Sequence, residues 1–300
     1  MTTPPFGRVL TAMVTPMTPD GAVDEDGVLA VAEHLLTHGH DGIVVNGTTG
    51  ESATLSADES IRVVELVAAH VGERAVVVAG VGSNDTAHSV AMARRAAGVG
   101  ARGLLVVTPY YNKPTQPGLI AHFGAVADAT DLPVLVYDIP GRTGIPIHTE
   151  TLVRLAEHPR IRGVKDAKGD LWAATHVMAA TGLHWYSGDD VLNLAHLAQG
   201  AIGVVSVVGH VAGREYAAMV AAVDAGDLVT ARAIHHRLVP LVDAIMTTSQ
   251  GAIMAKAALV ELGVIASAHV RLPLVTSPPE HLAILRAGLT RSGFGLAGKA

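Results

Sequence analysis

The segment Ile161-Arg162-Gly163-Val164-Lys165-Asp166-Ala167 has the pattern of a short buried strand that ends in an amine. Apolar, β-branched segments of this kind recur eight times, at residues 9–14, 42–45, 76–81, 104–107, 134–137, 163–165, 185–187 and 202–207. Each is short and apolar on both faces, as is typical of parallel strands that are covered by helices. Their regular recurrence determines the predicted fold class.

Amphipathic stretches predict helices between these strands, most clearly at residues 28–36, 59–70 and 86–97. Ser56 and Glu59 have the spacing of a capping box, and Asn84 is the predicted N-cap of the third helix. Eight strands that alternate with helices predict an α/β fold, the (β/α)8 or TIM barrel. A doubly wound parallel sheet is the alternative.

The strand pattern stops near residue 213, and helical stretches follow at residues 214–225, 228–247 and 252–262. We therefore expect two parts. Residues 1–226 would form a (β/α)8 catalytic barrel, and residues 227–300 would form a C-terminal helical extension.

Composition excludes several classes of protein. A hydrophobic content of 49% with 16% charged residues is typical of a well-packed globular chain, and a formal net charge of −6 argues against nucleic acid as a partner. The chain has no cysteine, which excludes disulfides and thiolate sites. The N-terminus lacks a signal pattern, and no apolar run approaches the roughly 20 residues of a membrane span. We expect a cytoplasmic protein without a bound metal.

Lys165 is the main candidate for chemistry, since the chain has only five lysines against sixteen arginines. Burial of an ammonium group is costly and lowers a lysine pKa from about 10.4. A lysine tuned in this way attacks carbonyl groups and forms a Schiff base. A lysine that extends from the strand end to solvent is an equally good interpretation of the segment alone.

The ends of the other predicted strands are unusually polar. The second ends in Asn46-Gly47-Thr48-Thr49-Gly50-Glu51-Ser52, whose glycines and hydroxyls suit a small carboxylate or phosphate, although a turn followed by an N-cap fits as well. The fourth leads to Tyr110 and Tyr111. The fifth ends at Tyr137 and is followed by Arg142, whose guanidinium can bind a carboxylate through two hydrogen bonds.

Alternation along strands predicts that two of these side chains meet. Lys165 shares a face with Gly163, and Tyr137 shares a face with Leu135. If both faces point into a barrel, the lysine and the tyrosine lie on neighbouring strands and come into contact. Lys168 lies beyond the strand and is the weaker Schiff-base candidate.

Four motifs in order carry a resemblance to a known family: residues 47–52, 109–112, 137–144 and 163–167. Together they resemble the dihydrodipicolinate synthase family, the 4-hydroxy-tetrahydrodipicolinate synthases, within the pyruvate-dependent class I aldolase superfamily. The similarity extends from about residue 8 to near residue 295. The lysine and the Tyr-x-x-Pro strand alone would indicate only the superfamily.

The resemblance implies a lyase that condenses pyruvate with L-aspartate 4-semialdehyde on the route to diaminopimelate and lysine. No cofactor is implied beyond the covalent imine of pyruvate with Lys165. The resemblance assigns the proton shuttle to Tyr137, a hydrogen-bond link to Thr48, and the end of that link to Tyr111 of a neighbouring subunit. It implies a homotetramer, built as a dimer of dimers.

The resemblance also assigns four binding residues. Thr49 would hold the pyruvate carboxylate, and Arg142 the carboxylate of the semialdehyde. Gly188 and Val205 would line the pocket through their backbones. For the neighbouring Asp189 and Asp190 we expect helix N-capping rather than catalysis.

Some positions depart from the family pattern. Asp138 and Gly141 stand where many members carry Asn and Ser, and Lys168 adds a second amine. Lysine-regulated members place a histidine and an acidic residue at an effector site, where this chain has Ala57 and His88. We therefore expect weak or absent inhibition by lysine.

Two other functions remain open from sequence. The first is another pyruvate-dependent aldolase of the superfamily, acting on a sugar acid or a hydroxy-oxo acid, which would keep Lys165 and Tyr137 but need a different acceptor pocket. A non-catalytic barrel that binds metabolites is the second alternative.

Overall fold

The computed structural model describes residues 4–295 and contains a closed barrel of eight parallel strands in sequential order. The predicted (β/α)8 barrel is confirmed, and the doubly wound sheet is excluded because β1 pairs with β8 and closes the sheet. The strands are β1 Val9–Ala12, β2 Gly42–Val45, β3 Val76–Gly80, β4 Gly103–Val107, β5 Val134–Asp138, β6 Ile161–Asp166, β7 His184–Ser187 and β8 Gly203–Ser206.

Helices cover the outside of the barrel and continue beyond it. They are α1 Glu25–Thr37, α2 Ala57–Val71, α3 Thr86–Gly98, α4 Gln116–Ala127, α5 Pro140–Thr143, α6 Thr149–Leu155, α7 Leu171–Ala180, α8 Asn193–Ala198, α9 Gly209–Asp224, α10 Leu228–Met246, α11 Gly251–Glu261 and α12 Pro279–Arg291. The sequence analysis did not predict α12. Its start at consecutive prolines, Pro278 and Pro279, has the composition of a turn as well as of a helix N-terminus.

Two predicted helix caps have different outcomes. The capping box of α2 is confirmed, because the Ser56 side chain accepts from the Glu59 amide while the Glu59 carboxylate accepts from the Ser56 amide. The prediction that Asn84 caps α3 is wrong. Asp85 is the cap, since its carboxylate accepts hydrogen bonds from the amides of Ala87 and His88.

Strand alternation separates an inner layer of side chains from an outer one. Leu135 and Tyr137 belong to the cluster that fills the barrel, whereas Val136 and Val164 pack between the barrel and its helices. At a register shift, Val134 pairs with Ile161 and Leu135 with Gly163, so Arg162 is an extra residue on β6. Tyr137 and Lys165 are therefore at the same level on adjacent strands.

The C-terminal helices form a second apolar cluster with α9 and the outer face of β8. The division into residues 1–226 and 227–300 stays a prediction, and part of it lies outside the described residues. Within residues 4–295 no single helix is long and apolar enough to cross a membrane, although α10 and α11 meet that test as a pair bent by 114°.

Candidate active site

Lys165 lies at the end of β6 inside the barrel, with only 5% of its surface exposed. Its Nζ atom lies 4.0 Å from the centroid of the Tyr137 ring. Burial lowers the pKa of Lys165 to about 8, the negative charge of Asp190 opposes this shift, and the positive charge of Arg142 adds to it. A substantial fraction of the amine is therefore neutral near physiological pH, as a nucleophile for a carbonyl carbon must be.

Tyr137 is buried beside this amine, and burial raises its pKa to about 12. The positive charge of Arg142 partly opposes that shift. The phenol therefore keeps its proton at neutral pH and can donate it to a neighbouring atom. The predicted meeting of Lys165 and Tyr137 is found in the structure.

Lys168 is held away from the barrel interior. Its ammonium lies 3.6 Å from Oδ2 of Asp138 and donates to the carbonyl of Ile147 at 3.3 Å. Burial raises the pKa of Asp138 to about 6, and the charge of Lys168 opposes this shift. Asp138 and Lys168, two of the departures from the family pattern, thus form an ion pair on the outer face of the sheet. This pairing explains the presence of a second amine near Lys165.

The loop after β2 has a conformation that its glycines did not predict. The residues with left-handed φ are Asn46 at 56° and Glu51 at 58°, rather than Gly47 or Gly50. Gly50 is needed for space, because a Cβ there would lie 3.1 Å from the carbonyl oxygen of Met13. In this loop Thr48 is exposed and Thr49 is buried.

A cleft of about 850 Å³ opens above the carboxyl ends of the strands. Thr48, Tyr111, Tyr137 and Arg142 all line it, so the structure brings these four predicted site residues together. The amine of Lys165 lies against the ring of Tyr137, which is one of the lining residues. The cleft is large enough for two small metabolites.

Gly188 and Val205 lie in the barrel rather than on the wall of this cleft. A Cβ on Gly188 would come within 2.8 Å of Cγ of Lys165, so the glycine makes room for the lysine stem. Val205, on β8, belongs to the same inner cluster as Tyr137. These positions fit a role in shaping the space around the amine.

Asp189 and Asp190 have separate structural roles. Asp189 accepts a hydrogen bond from the amide of Val191 as an N-cap, as predicted. The expectation that Asp190 is also an N-cap is wrong. Asp190 is buried and accepts from the amides of Val207 at 2.8 Å and Val208 at 3.0 Å, so it ties the turn after β7 to the residues that follow β8. Its fixed charge also keeps the Lys165 amine from losing its proton too easily.

Tyr111 is 90% exposed and has a left-handed φ of 73°. Strained backbone of this kind occurs most often at functional sites, which fits the place of Tyr111 on the cleft wall. A Cβ on Gly141, the other departure from the family pattern, would meet no atom within 4 Å, so the loop does not need glycine there for space.

Residues far along the chain also line the cleft, and the sequence analysis missed them. Gln250, Pro273 and Leu274 face the same space as Thr48 and Arg142. No local pattern marks them, because their role depends on how the C-terminal segments fold back over the barrel.

Comparisons with known proteins agree with this geometry. The model of the Dihydrodipicolinate synthetase family matches residues 5–291. The 4-hydroxy-tetrahydrodipicolinate synthase of Kineococcus radiotolerans is 61% identical over 98% of this chain and 95% of its own. The crystal structure of the synthase from Cyanidioschyzon merolae with lysine bound has a TM-score of 0.94 at 41% identity, covering 97% of this chain and 100% of that one.

The chloride-inhibited synthase from Acinetobacter baumannii, complexed with pyruvate, has a TM-score of 0.93 at 36% identity, with 97% and 100% of the two chains covered. The similarity thus includes the barrel, the helices after it and all four motifs. The chain belongs to the dihydrodipicolinate synthetase family.

Proposed function

We propose that the neutral amine of Lys165 condenses with the keto carbon of pyruvate, and that the resulting enamine attacks L-aspartate 4-semialdehyde. The function predicted from sequence, 4-hydroxy-tetrahydrodipicolinate synthesis by a class I aldolase-type lyase, is confirmed at the level of the family by a relative 61% identical over 293 residues. The observation that carries the residue-level proposal is the buried Lys165 amine beside the Tyr137 ring, 4.0 Å from its centroid.

The chemistry follows from that amine. Lys165 adds to the keto carbon and water leaves, which gives a protonated imine. The imine withdraws electrons, so the methyl group loses a proton and becomes the nucleophilic carbon of an enamine. That carbon forms a bond to the aldehyde carbon, and the aldehyde oxygen takes up a proton. The amino group of the second substrate then attacks the imine carbon, closes the ring and releases Lys165.

Tyr137 would move the protons in these steps, because its high pKa keeps it protonated and its ring lies against the amine. Thr48 and Tyr111, on the wall of the same cleft, would continue a hydrogen-bonded path to its mouth. Thr49 would hold the pyruvate carboxylate, with Gly188 and Val205 shaping the pocket. Arg142, at the cleft wall, would bind the carboxylate of the semialdehyde.

The reaction needs no cofactor, because the imine with Lys165 supplies the electron sink. We also propose a cytoplasmic homotetramer, arranged as a dimer of dimers, in which Tyr111 completes the site of a neighbouring subunit. The exposure of Tyr111, 90% of its surface, supports this arrangement.

Borohydride trapping tests the central step. Incubation with pyruvate and borohydride should add the reduced pyruvyl group to the peptide that contains Lys165, and Lys165→Met should remain unmodified. Lys168→Met is the matched control and should still be trapped. Modification of Lys168, or an unmodified wild-type chain, would refute the assignment of Lys165.

A complementation experiment tests the shared site. Mixed subunits carrying Tyr111→Phe or Lys165→Met should recover about a quarter of wild-type activity, because one site of each mixed dimer has an intact lysine and receives an intact tyrosine. If Tyr111 acts within its own subunit, mixing recovers nothing.

Relatives 61% and 56% identical are both named 4-hydroxy-tetrahydrodipicolinate synthase, which favours neither another aldolase of the superfamily nor a non-catalytic barrel. A carboxylate on the aldehyde substrate explains Arg142, and an acceptor without that carboxylate would not need it. Assays of semialdehyde against sugar-acid aldehydes with the same pyruvate-loaded enzyme separate the two functions.

A further inference from the structure

Glu51 holds an unusual position directly after the threonine pair. It is only 4% exposed, and its φ of 58° lies in the left-handed region that residues with a side chain rarely adopt. Such a conformation persists only where the surrounding structure holds it. The Glu51 amide donates to the carbonyl of Thr48 at 3.1 Å, so the backbone at Glu51 is coupled to that of Thr48.

The side chain of Glu51 is held by the C-terminal part of the chain. The ammonium of Lys256, on α11, is fully buried and pairs with Oε1 of Glu51 across 205 residues of sequence. Lys256 also donates to the carbonyl of His269 at 2.7 Å. The other carboxylate oxygen of Glu51 accepts from the amide of Arg271 at 2.9 Å. The opposite charges of Glu51 and Lys256 therefore neutralise each other, and removing one would leave the other buried and unpaired.

Arg271 fixes the far end of the same loop. Its Nη1 atom donates to the carbonyl of Thr54 at 2.7 Å and to Glu59 at 2.9 Å. Glu59 is the capping-box residue of α2, so the loop is held both at Glu51 and at the start of the next helix. The chain after Arg271 leads to Pro273 and Leu274, which line the cleft.

We infer that Glu51 and Lys256 are a positioning pair that holds Thr49 for pyruvate binding and Thr48 for the proton path, which makes the C-terminal helices part of the active-site support. The pair does not react with substrate. It fixes a backbone segment whose conformation is unfavourable by itself. The inference rests on the proposed function, in which Thr49 binds the pyruvate carboxylate.

The test compares Lys256→Met, Glu51→Gln and the double variant. Either single change leaves one buried group without its counterpart and should lower the Tm. The double variant removes both charges at similar volume, so its Tm should recover toward the wild-type value. Its pyruvate KM should stay about tenfold above wild type, the loss expected when a hydrogen bond to a carboxylate is misaligned, and kcat should fall as well because Thr48 lies on the proposed proton path.

The Arg286→Gln variant is the matched control. It removes the ion pair of Arg286 with Glu261, on the same C-terminal helices but without contact to the loop, and should leave the pyruvate KM unchanged. A double variant with recovered Tm and a wild-type pyruvate KM would overturn the inference. Failure of wild-type Lys165 to trap pyruvate would instead refute the proposed function, so the two failures are distinguishable.

Discussion

Lys165 and Tyr137 are paired across β5 and β6, and the amine lies against the face of the phenol ring, 4.0 Å from its centroid. The ring replaces water around the ammonium, while its hydroxyl stays protonated because burial raises the pKa of Tyr137 to about 12. Burial of both groups therefore gives an amine that loses its proton more readily than a free lysine and a phenol that keeps its proton.

The rate of imine formation should depend on pH through Lys165. Burial lowers the pKa of Lys165 to about 8, and only the neutral amine reacts, so below pH 8 the rate of pyruvate trapping should fall about tenfold per pH unit. Arg142 contributes to lowering that pKa, so Arg142→Gln should move the midpoint to higher pH. A midpoint that stays the same in this variant would contradict the electrostatic role of Arg142.

Arg142→Ala should raise the KM for the semialdehyde far more than the KM for pyruvate. Loss of a hydrogen-bonded ion pair costs about 1.5–3 kcal/mol, which corresponds to a factor of about 10–150 in KM. Arg154→Ala removes an exposed arginine that pairs with Glu157 and serves as the control. Steady-state kinetics with each substrate varied separately provide the measurement, and equal effects on both KM values would argue against the assignment.

Tyr137→Phe should lower kcat by about 100- to 10,000-fold, because positioned acid–base groups contribute that much to rate. The aromatic face stays, so the amine should keep its environment and trap pyruvate with a nearly unchanged midpoint pH. Tyr110→Phe removes a hydroxyl from the same cleft and should retain activity. Normal turnover by the Tyr137 variant would exclude it as the proton carrier.

Lysine should inhibit the enzyme weakly or not at all. Ala57 starts α2 and His88 lies exposed on α3, so neither supplies an anion for the ammonium groups of the effector. Activity assays with added L-lysine, at fixed pyruvate, measure this directly. Ala57→His combined with His88→Glu should increase the sensitivity to lysine. Strong inhibition of the wild type at sub-millimolar lysine would contradict the prediction.

Acid should destabilise the fold through buried histidines. Burial lowers the pKa of His40 from 6.5 to about 4, so the unfolded chain binds the proton more tightly and stability falls as the pH drops below 6.5. At pH 5.5 the loss from His40 is about 1–2 kcal/mol. Thermal unfolding at pH 7.5 and 5.5 should show a smaller difference in Tm for His40→Gln than for wild type. An equal difference in both proteins would exclude His40 as the group responsible.

The sequence by itself determined the barrel and much of its site. Eight short strands that are apolar on both faces and alternate with helices predict a barrel whose sheet is covered by those helices. The period of two along each strand places Lys165 and Tyr137 on faces that point inward. The Ser56–Glu59 capping box could be predicted because the two residues lie only three positions apart. Competition between adjacent residues caused the error at Asn84, where the carboxylate of Asp85 accepts from two amides.

Tertiary structure decided what depends on distant parts of the chain. The sequence of α11 does not indicate that Lys256 forms an ion pair with Glu51, because the two residues lie 205 positions apart. The left-handed conformation at Glu51 likewise depends on partners that arrive only when the C-terminal segments pack over the loop. Local patterns report local forces, whereas the charge balance of a buried site depends on which groups the completed fold brings together.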